Sequence, residues 1–151
     1  MCLMISNLSC LNRFLGSVET ASSSVVAGYT WLGKKIELLT DAKLPGTPAK
    51  IVQMLFWTLP HTAAIMLVPS PYFYVAFSLL LLPEETLRQD FGNETMQQFY
   101  TGLRNATIIK TTQSALSLIS RGDLWSLASL LTNIYLSMSA HLAANPELAK
   151  A

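Results

Sequence analysis

Residues 51–83 read IVQMLFWTLPHTAAIMLVPSPYFYVAFSLLLLP, and the expected fold depends on how this stretch is understood. Lys50 precedes it, Glu84 and Glu85 follow it, and no Lys, Arg, Asp or Glu interrupts its 33 residues. A membrane-crossing helix needs about 20 predominantly apolar residues, whereas runs of about 10–14 belong to buried core helices. By length the stretch reads as membrane-embedded. As one straight helix it would measure about 50 Å, too long for a single untilted crossing. Pro69-Ser70-Pro71 removes two backbone donors and pushes Val68 and Ser70 away from helical dihedrals. Pro60, Pro69, Pro71 and Pro83 are therefore the expected kink positions, dividing the run into an arm from Ala49 to Val68 and a shorter one from Tyr72 to Leu82. One strongly bent span and a span with a re-entrant arm both fit, because backbone freed at a break has no partner in lipid.

Composition points the same way. A chain of 151 residues makes one domain at most. It is 51% hydrophobic and 13% charged, with a mean hydropathy of +0.38, where an ordinary soluble domain has about a quarter of its residues charged. The net charge of +1, with Lys34-Lys35 as the only basic pair, excludes a nucleic-acid partner, which requires a clustered basic surface. Cys2 and Cys10 have no zinc-ligand spacing and read as free thiols in a reducing compartment. The three glycosylation tripeptides, beginning at Asn7, Asn93 and Asn105, read as chance matches. No cofactor or metal is expected.

Residues 1–16 form an N-terminal segment with a weak targeting signal, since its single charge is Arg13. Residues 17–151 form a single helical membrane domain: an amphipathic helix over 17–43, the kinked segment over 49–83 and C-terminal helices over 84–144. On the first helix Val18, Val25, Leu32 and Leu39 fall seven apart, widened by Ala21, Tyr29 and Ile36, with Ser22, Ser24, Thr30, Lys34 and Glu37 on the other side. Leu44-Pro45-Gly46-Thr47-Pro48 stops it. Pro83-Glu84-Glu85 opens a helix, with acids at the positive end of its dipole. Glu84, Glu85, Asp90 and Glu94 read as a solvated face. Gly92-Asn93 breaks and re-caps the chain, a further helix covers Asn105 to Ser120, and Asp123 caps the last one.

From Leu124 to Ala144 charge is absent again. Leu124, Leu127, Leu131, Ile134, Met138 and Leu142 make an apolar stripe. Ser126, Ser129, Asn133, Ser137, Ala140 and Ala144 make a small, polar one suited to close helix contact in lipid. This helix is either interfacial or a second span, and Asn145-Pro146 ends it. The fold class expected is thus an all-α membrane protein. Val18, Val25, Leu32, Leu39, Ser129, Asn133, Ser137 and Ala140 are the candidate partner-facing residues. His61 is the one titratable side chain inside the long apolar run. An ionisable group at membrane depth is a functional-site candidate, although a neutral imidazole bonded to a carbonyl explains it as well.

Pro69 and Pro71 within an apolar span, the run YFYVAFSLLLL, Pro83 closing it, and then Leu87, Phe91, Gln97, Gln98 and Phe99 together resemble the mitochondrial LETM family. These are the leucine zipper–EF-hand-containing transmembrane proteins. The upstream Gly28-Tyr29-Thr30-Trp31-Leu32 to Asp41-Ala42-Lys43 segment is similar to the one preceding the family's span, and the resemblance covers about residues 14–105. It implies the mitochondrial inner membrane, with lipid and other membrane subunits as partners. No EF-hand loop is present. Lys35, Lys43 and Lys50 before the span, against Arg88 just after it, leave the orientation open.

No nucleophile–base pair, phosphate-cradling loop or metal spacing is visible, so an enzyme is not expected. The expected function is a non-catalytic accessory subunit of a mitochondrial inner-membrane complex, the respiratory chain or ATP synthase. The alternative is a LETM-like cation/proton exchanger or membrane-organising protein acting as a homo-oligomer. A chain this small cannot bury all of its apolar faces against itself.

Overall fold

The computed structural model describes residues 2–44, 46–68 and 70–148, with the side chains of residues 2–8 and 70 left out. Six helices follow in order: α1 Cys2–Lys43, α2 Thr47–Leu67, α3 Ser70–Leu81, α4 Glu84–Phe91, α5 Asn93–Arg121 and α6 Leu124–Ala144. There is no strand among the described residues.

No helix among the described residues is long and apolar enough to cross a membrane. The expected membrane architecture, bent span or re-entrant arm alike, is corrected on this point. The reason lies in the break itself. Val68 leaves the helix in an extended conformation, φ −85° and ψ 129°, as a residue preceding proline favours. The long run is thereby cut into α2, of 21 residues, and α3, of 12. Lys50, Gln53, Thr58, His61 and Thr62 dilute the apolar content of α2, and α3 rises only about 18 Å. In α6, Ser126, Ser129, Thr132, Asn133, Ser137 and Ser139 do the same. What reads as one lipid-length run is two helices that each lend one face to a protein core.

The expected kink positions have different fates. Pro60 lies inside α2 without ending it. Pro71 sits in the first turn of α3, and Pro83 is the N-cap of α4 rather than its first residue. Pro69 lies outside the described residues. The first helix also differs from its expected bounds, since α1 runs unbroken through residue 16. Likewise α5 is one helix of 29 residues from Asn93, with no new start at Asn105.

α5 is the centre of the fold, with α2 and α6 packed along it. Its buried positions Met96, Phe99, Tyr100, Leu103 and Ala106 recur at three- and four-residue spacing. They meet Trp57 and Ile65 of α2, Phe73 and Phe77 of α3, Leu87 of α4, and Leu136, Ala140 and Ala143 of α6. Among the described residues Val26 is the buried apolar contribution of α1. Each of the larger side chains stabilises the fold by about 1.5–3 kcal/mol when fully buried.

The α5–α6 hairpin is closed by two residues. Gly122, at φ 67°, takes the left-handed conformation that ends α5, and its N–H donates to Leu118 O at 2.8 Å. The Asp123 carboxylate then accepts the Ser126 N–H at 2.6 Å, which caps α6 and holds the Asp123 pKa down. At the other end of α6, Arg88 donates to the Ala143 carbonyl and pairs with Glu84 at 2.9 Å. That guanidinium lies over the Tyr100 ring and places positive charge at the negative end of the α6 dipole. Glu84 is thus half-buried and paired rather than part of a solvated face.

Two glycines let three helices approach closely at Trp57. A Cβ on Gly33 of α1 would lie 2.7 Å from Trp57 Cζ2, and one on Gly102 of α5 would overlap the Trp57 backbone carbonyl. The ring can shift but the carbonyl cannot. Gly102→Ala is therefore expected to destabilise the protein by about 2–3 kcal/mol, and Gly33→Ala by about 1 kcal/mol, in equilibrium urea unfolding. A Gly102→Ala variant as stable as the wild type would exclude this contact.

Candidate functional site

α2 directs Trp57, His61 and Ile65, at successive four-residue steps, onto α5 and into the core. His61 is 7% exposed, and its Nε2 lies 3.2 Å from the carbonyl oxygen of Phe99. Because a carbonyl only accepts, Nε2 carries the proton, and Nδ1 of the neutral ring is left as an acceptor. Desolvation lowers the His61 pKa to about 4, outweighing the Phe99 carbonyl, which favours the charged form. At neutral pH the ring is uncharged.

Aromatic rings surround it. Tyr29 of α1 lies 4.9 Å from the imidazole and Phe99 4.8 Å, the latter edge-on. Tyr29 also meets Phe56, Trp57 and Phe99 at 5.3–5.7 Å between centroids, spacings at which ring pairs attract. The Tyr29 hydroxyl faces the His61 backbone but finds no partner of hydrogen-bonding geometry among the described residues. Burial raises its pKa above the ordinary tyrosine value.

Beside these two residues lies a cavity of about 200 Å³ between α1, α2, α3 and α5. Among the described residues Tyr29 and His61 are the only polar side chains on its wall; Val25, Ala64, Phe73, Ala76 and Leu80 are among the others. A second apolar cleft of about 350 Å³ runs between α1 and α3 past Val18 and Ala21. The two share Val25, Ala76 and Leu80. Among the described residues no charged side chain lines either. An imidazole with its pKa near 4 and no carboxylate on the same wall is poorly placed for acid–base work at neutral pH.

The candidate partner-facing residues divide sharply. Val25, Leu32 and Leu39 are exposed and Val18 is half-buried, whereas Ser22, Val26, Thr30 and Thr40 of α1 are buried. On α6, Asn133 and Ala140 lie inside the chain, and Ser129 and Ser137 are half-buried. Asn133 Nδ2, with two hydrogens to donate, lies 2.8 Å from Ser129 O, 3.0 Å from Ser114 Oγ and 3.2 Å from the Tyr74 hydroxyl. This network ties α6 to α5 and α3, and Asn133 Oδ1 has no partner among the described residues. Tyr29 was missed as a site residue because the helical pattern assigns it only to a stripe. Its pairing with His61 depends on how α1 docks. Among the described residues no group of three or more His, Cys, Asp or Glu could hold a metal ion.

Two outcomes follow from the His61–Tyr29 pair. The folded-state pKa of His61 lies below its unfolded value, so the unfolded chain binds the extra proton and stability falls as pH drops from about 6.5 toward 4. That loss approaches roughly 3 kcal/mol, and urea unfolding of wild type against His61→Phe across this window isolates it. A pH-independent difference between the two would exclude a buried neutral imidazole. Tyr29→Phe removes a buried hydroxyl without a partner and is expected to raise stability by about 1 kcal/mol, read as an increase in Tm. Scans against protein-family models, curated proteins and solved structures return no match to this chain, so the likeness to the LETM family rests on the motifs quoted above.

Proposed function

We propose that the chain is a non-catalytic accessory subunit of a larger assembly at the mitochondrial inner membrane, held by protein contacts rather than by a span of its own. The observation that supports this reading is the inverted burial of α6. Leu124, Leu127, Leu131, Ile134, Met138 and Leu142 are all exposed, Leu124 to 84%, while Ser126 and Asn133 of the same helix are buried. The stripe runs along about 27 Å of helix. A soluble monomer rarely leaves so continuous an apolar surface open, and such surfaces mark interaction sites.

α1 repeats the pattern. Two of its buried hydroxyls are satisfied within the helix, Thr30 Oγ1 donating to Val26 O at 2.7 Å and Thr40 Oγ1 to Ile36 O at 2.8 Å. Its heptad-spaced Val25, Leu32 and Leu39 stay outside, as do Leu11, Phe14 and Trp31. Both helices thus bury a mixed face, Ser22, Val26 and Thr30 on α1 and Ser126, Asn133, Leu136 and Ala140 on α6, and leave their larger apolar stripes open to neighbours. The mitochondrial setting comes from the motif resemblance alone. The exchanger alternative needs a crossing helix and is not carried forward.

The test is native electrophoresis of mildly extracted mitochondria. The wild-type chain is expected to migrate in a complex many times its own mass. Leu131→Lys with Met138→Lys, both at exposed positions, is expected to release it while leaving its helical circular dichroism unchanged. A wild-type chain that migrates alone would overturn the reading.

A further inference from the structure

The turn end of the α5–α6 hairpin carries a chemistry that the assembly role does not use. A groove of about 260 Å³ lies there, lined on α5 by Lys110, Ser114, Ser117 and Arg121 and on α6 by Trp125 and Ser129, among others. Among the described residues no Asp or Glu lines it. Lys110 and Arg121 share one face of α5, about three turns or 16 Å apart along its axis. Among the described residues neither is ion-paired, the close pair being Arg88 with Glu84. Lys110 Nζ instead donates to Gln113 Oε1 at 3.1 Å, on the same wall, which draws it toward the middle of the groove. Asp123 shares the field of Arg121, but its carboxylate is turned to Ser126, whose N–H it accepts at 2.6 Å.

The floor of the groove supplies a donor as well. Ser129 Oγ lies 3.3 Å from Ser114 Oγ and 3.4 Å from the Tyr74 hydroxyl, so three hydroxyl hydrogens serve two contacts and one is left over. The buried Asn133 does not absorb it. Its Nδ2 donates into the same cluster, 3.0 Å from Ser114 Oγ, and its Oδ1 has no partner among the described residues. With Tyr74 donating to Ser129 and Ser129 to Ser114, the Ser114 hydroxyl keeps its hydrogen for the groove that it lines. An ammonium, a guanidinium and a hydroxyl donor around an acid-free groove select an oxyanion. Two cations set three turns apart suit an elongated anion with charge at each end better than a single small one. Phosphoryl groups offer each cation more acceptor oxygens than carboxylates do. We infer that the groove binds a diphosphate group, one phosphoryl at Lys110 and the other at Arg121, with Ser114 donating between them.

The probe is inorganic diphosphate, titrated calorimetrically into the full chain at pH 7.5 and low salt without divalent metal. It is expected to bind saturably, one ion per chain, and glutarate at least tenfold more weakly. Lys110→Gln and Arg121→Gln are each expected to weaken diphosphate about three- to tenfold while melting like the wild type. The control is Lys34→Gln with Lys35→Gln, two exposed positions on α1. It removes as much charge as both groove variants together and is expected to leave the affinity unchanged, which attraction by net charge alone would not. ADP distinguishes the source of the group. Affinity equal to that of diphosphate assigns the free anion, whereas tighter binding that Trp125→Ala cancels assigns a nucleoside diphosphate stacked on the 75% exposed Trp125. The inference is overturned by any one of three results: no saturable binding of diphosphate, equal affinity for glutarate, or losses in the groove variants no greater than in the α1 control. None of the exposed leucines of α6 lines the groove, so the result is independent of whether the protein joins an assembly.

Discussion

The distance between α2 and α5 at Gly102 constrains everything around it. With no side chain at that position, the Trp57 backbone reaches the α5 surface directly, and the faces on either side are drawn into contact. His61, one turn further along α2, then comes within hydrogen-bonding distance of the Phe99 carbonyl, and Ile65 follows into the core. The Trp57 ring projects the other way, onto Gly33 of α1. One tryptophan between two glycines therefore sets the positions of three helices, and the position of the Tyr29 hydroxyl follows from them. A Cβ at Gly102 would separate α2 from α5 and remove the wall of the His61 cavity along with the contact.

A second constraint is the way polar residues are tolerated inside. The hydroxyls of Thr30, Thr40, Thr107 and Thr111 donate to carbonyls three or four residues earlier in their own helices. Such groups can be buried without a partner on another helix. Asn133 cannot do this fully, and it draws Ser114, Ser129 and Tyr74 around it. The interior is consequently more polar, and the surface more apolar, than an amphipathic pattern suggests.

That inversion explains what the amino-acid sequence does and does not disclose. The breaks were legible because they rest on local chemistry: Pro following Val68, Gly92 and Gly122 at positive φ, the Asp123 side-chain cap and Asn145-Pro146. The all-helical character was legible for the same reason. The inward faces of α1 and α6 were not: the small, polar stripe of α6 reads as partner-facing, yet Asn133 and Ala140 lie inside the chain, and nothing in the pattern of α1 marks Ser22 and Thr30 as its buried side. Nor was it legible that no helix among the described residues is long and apolar enough to cross a membrane, since the count of uncharged residues over 51–83 takes no account of where the chain turns. His61 was visible as the one titratable group in that stretch. Tyr29, 32 residues earlier, had no local mark of its role.

The two-residue link at Gly122-Asp123 has a consequence for the order in which the chain assembles. α5 and α6 are neighbours in sequence and are the most extensively packed pair in the fold, so bringing them together closes almost no loop. α1 packs mainly on its sequence neighbour α2, but less extensively, and among the described residues contributes Val26 as its one buried apolar side chain. With a short link and the most extensive contact the hairpin is the natural nucleus, and α1, which makes the less extensive contact, is the late arrival. The wall carrying Tyr29 would then be the last to close, and the first to loosen, on a scaffold already complete without it.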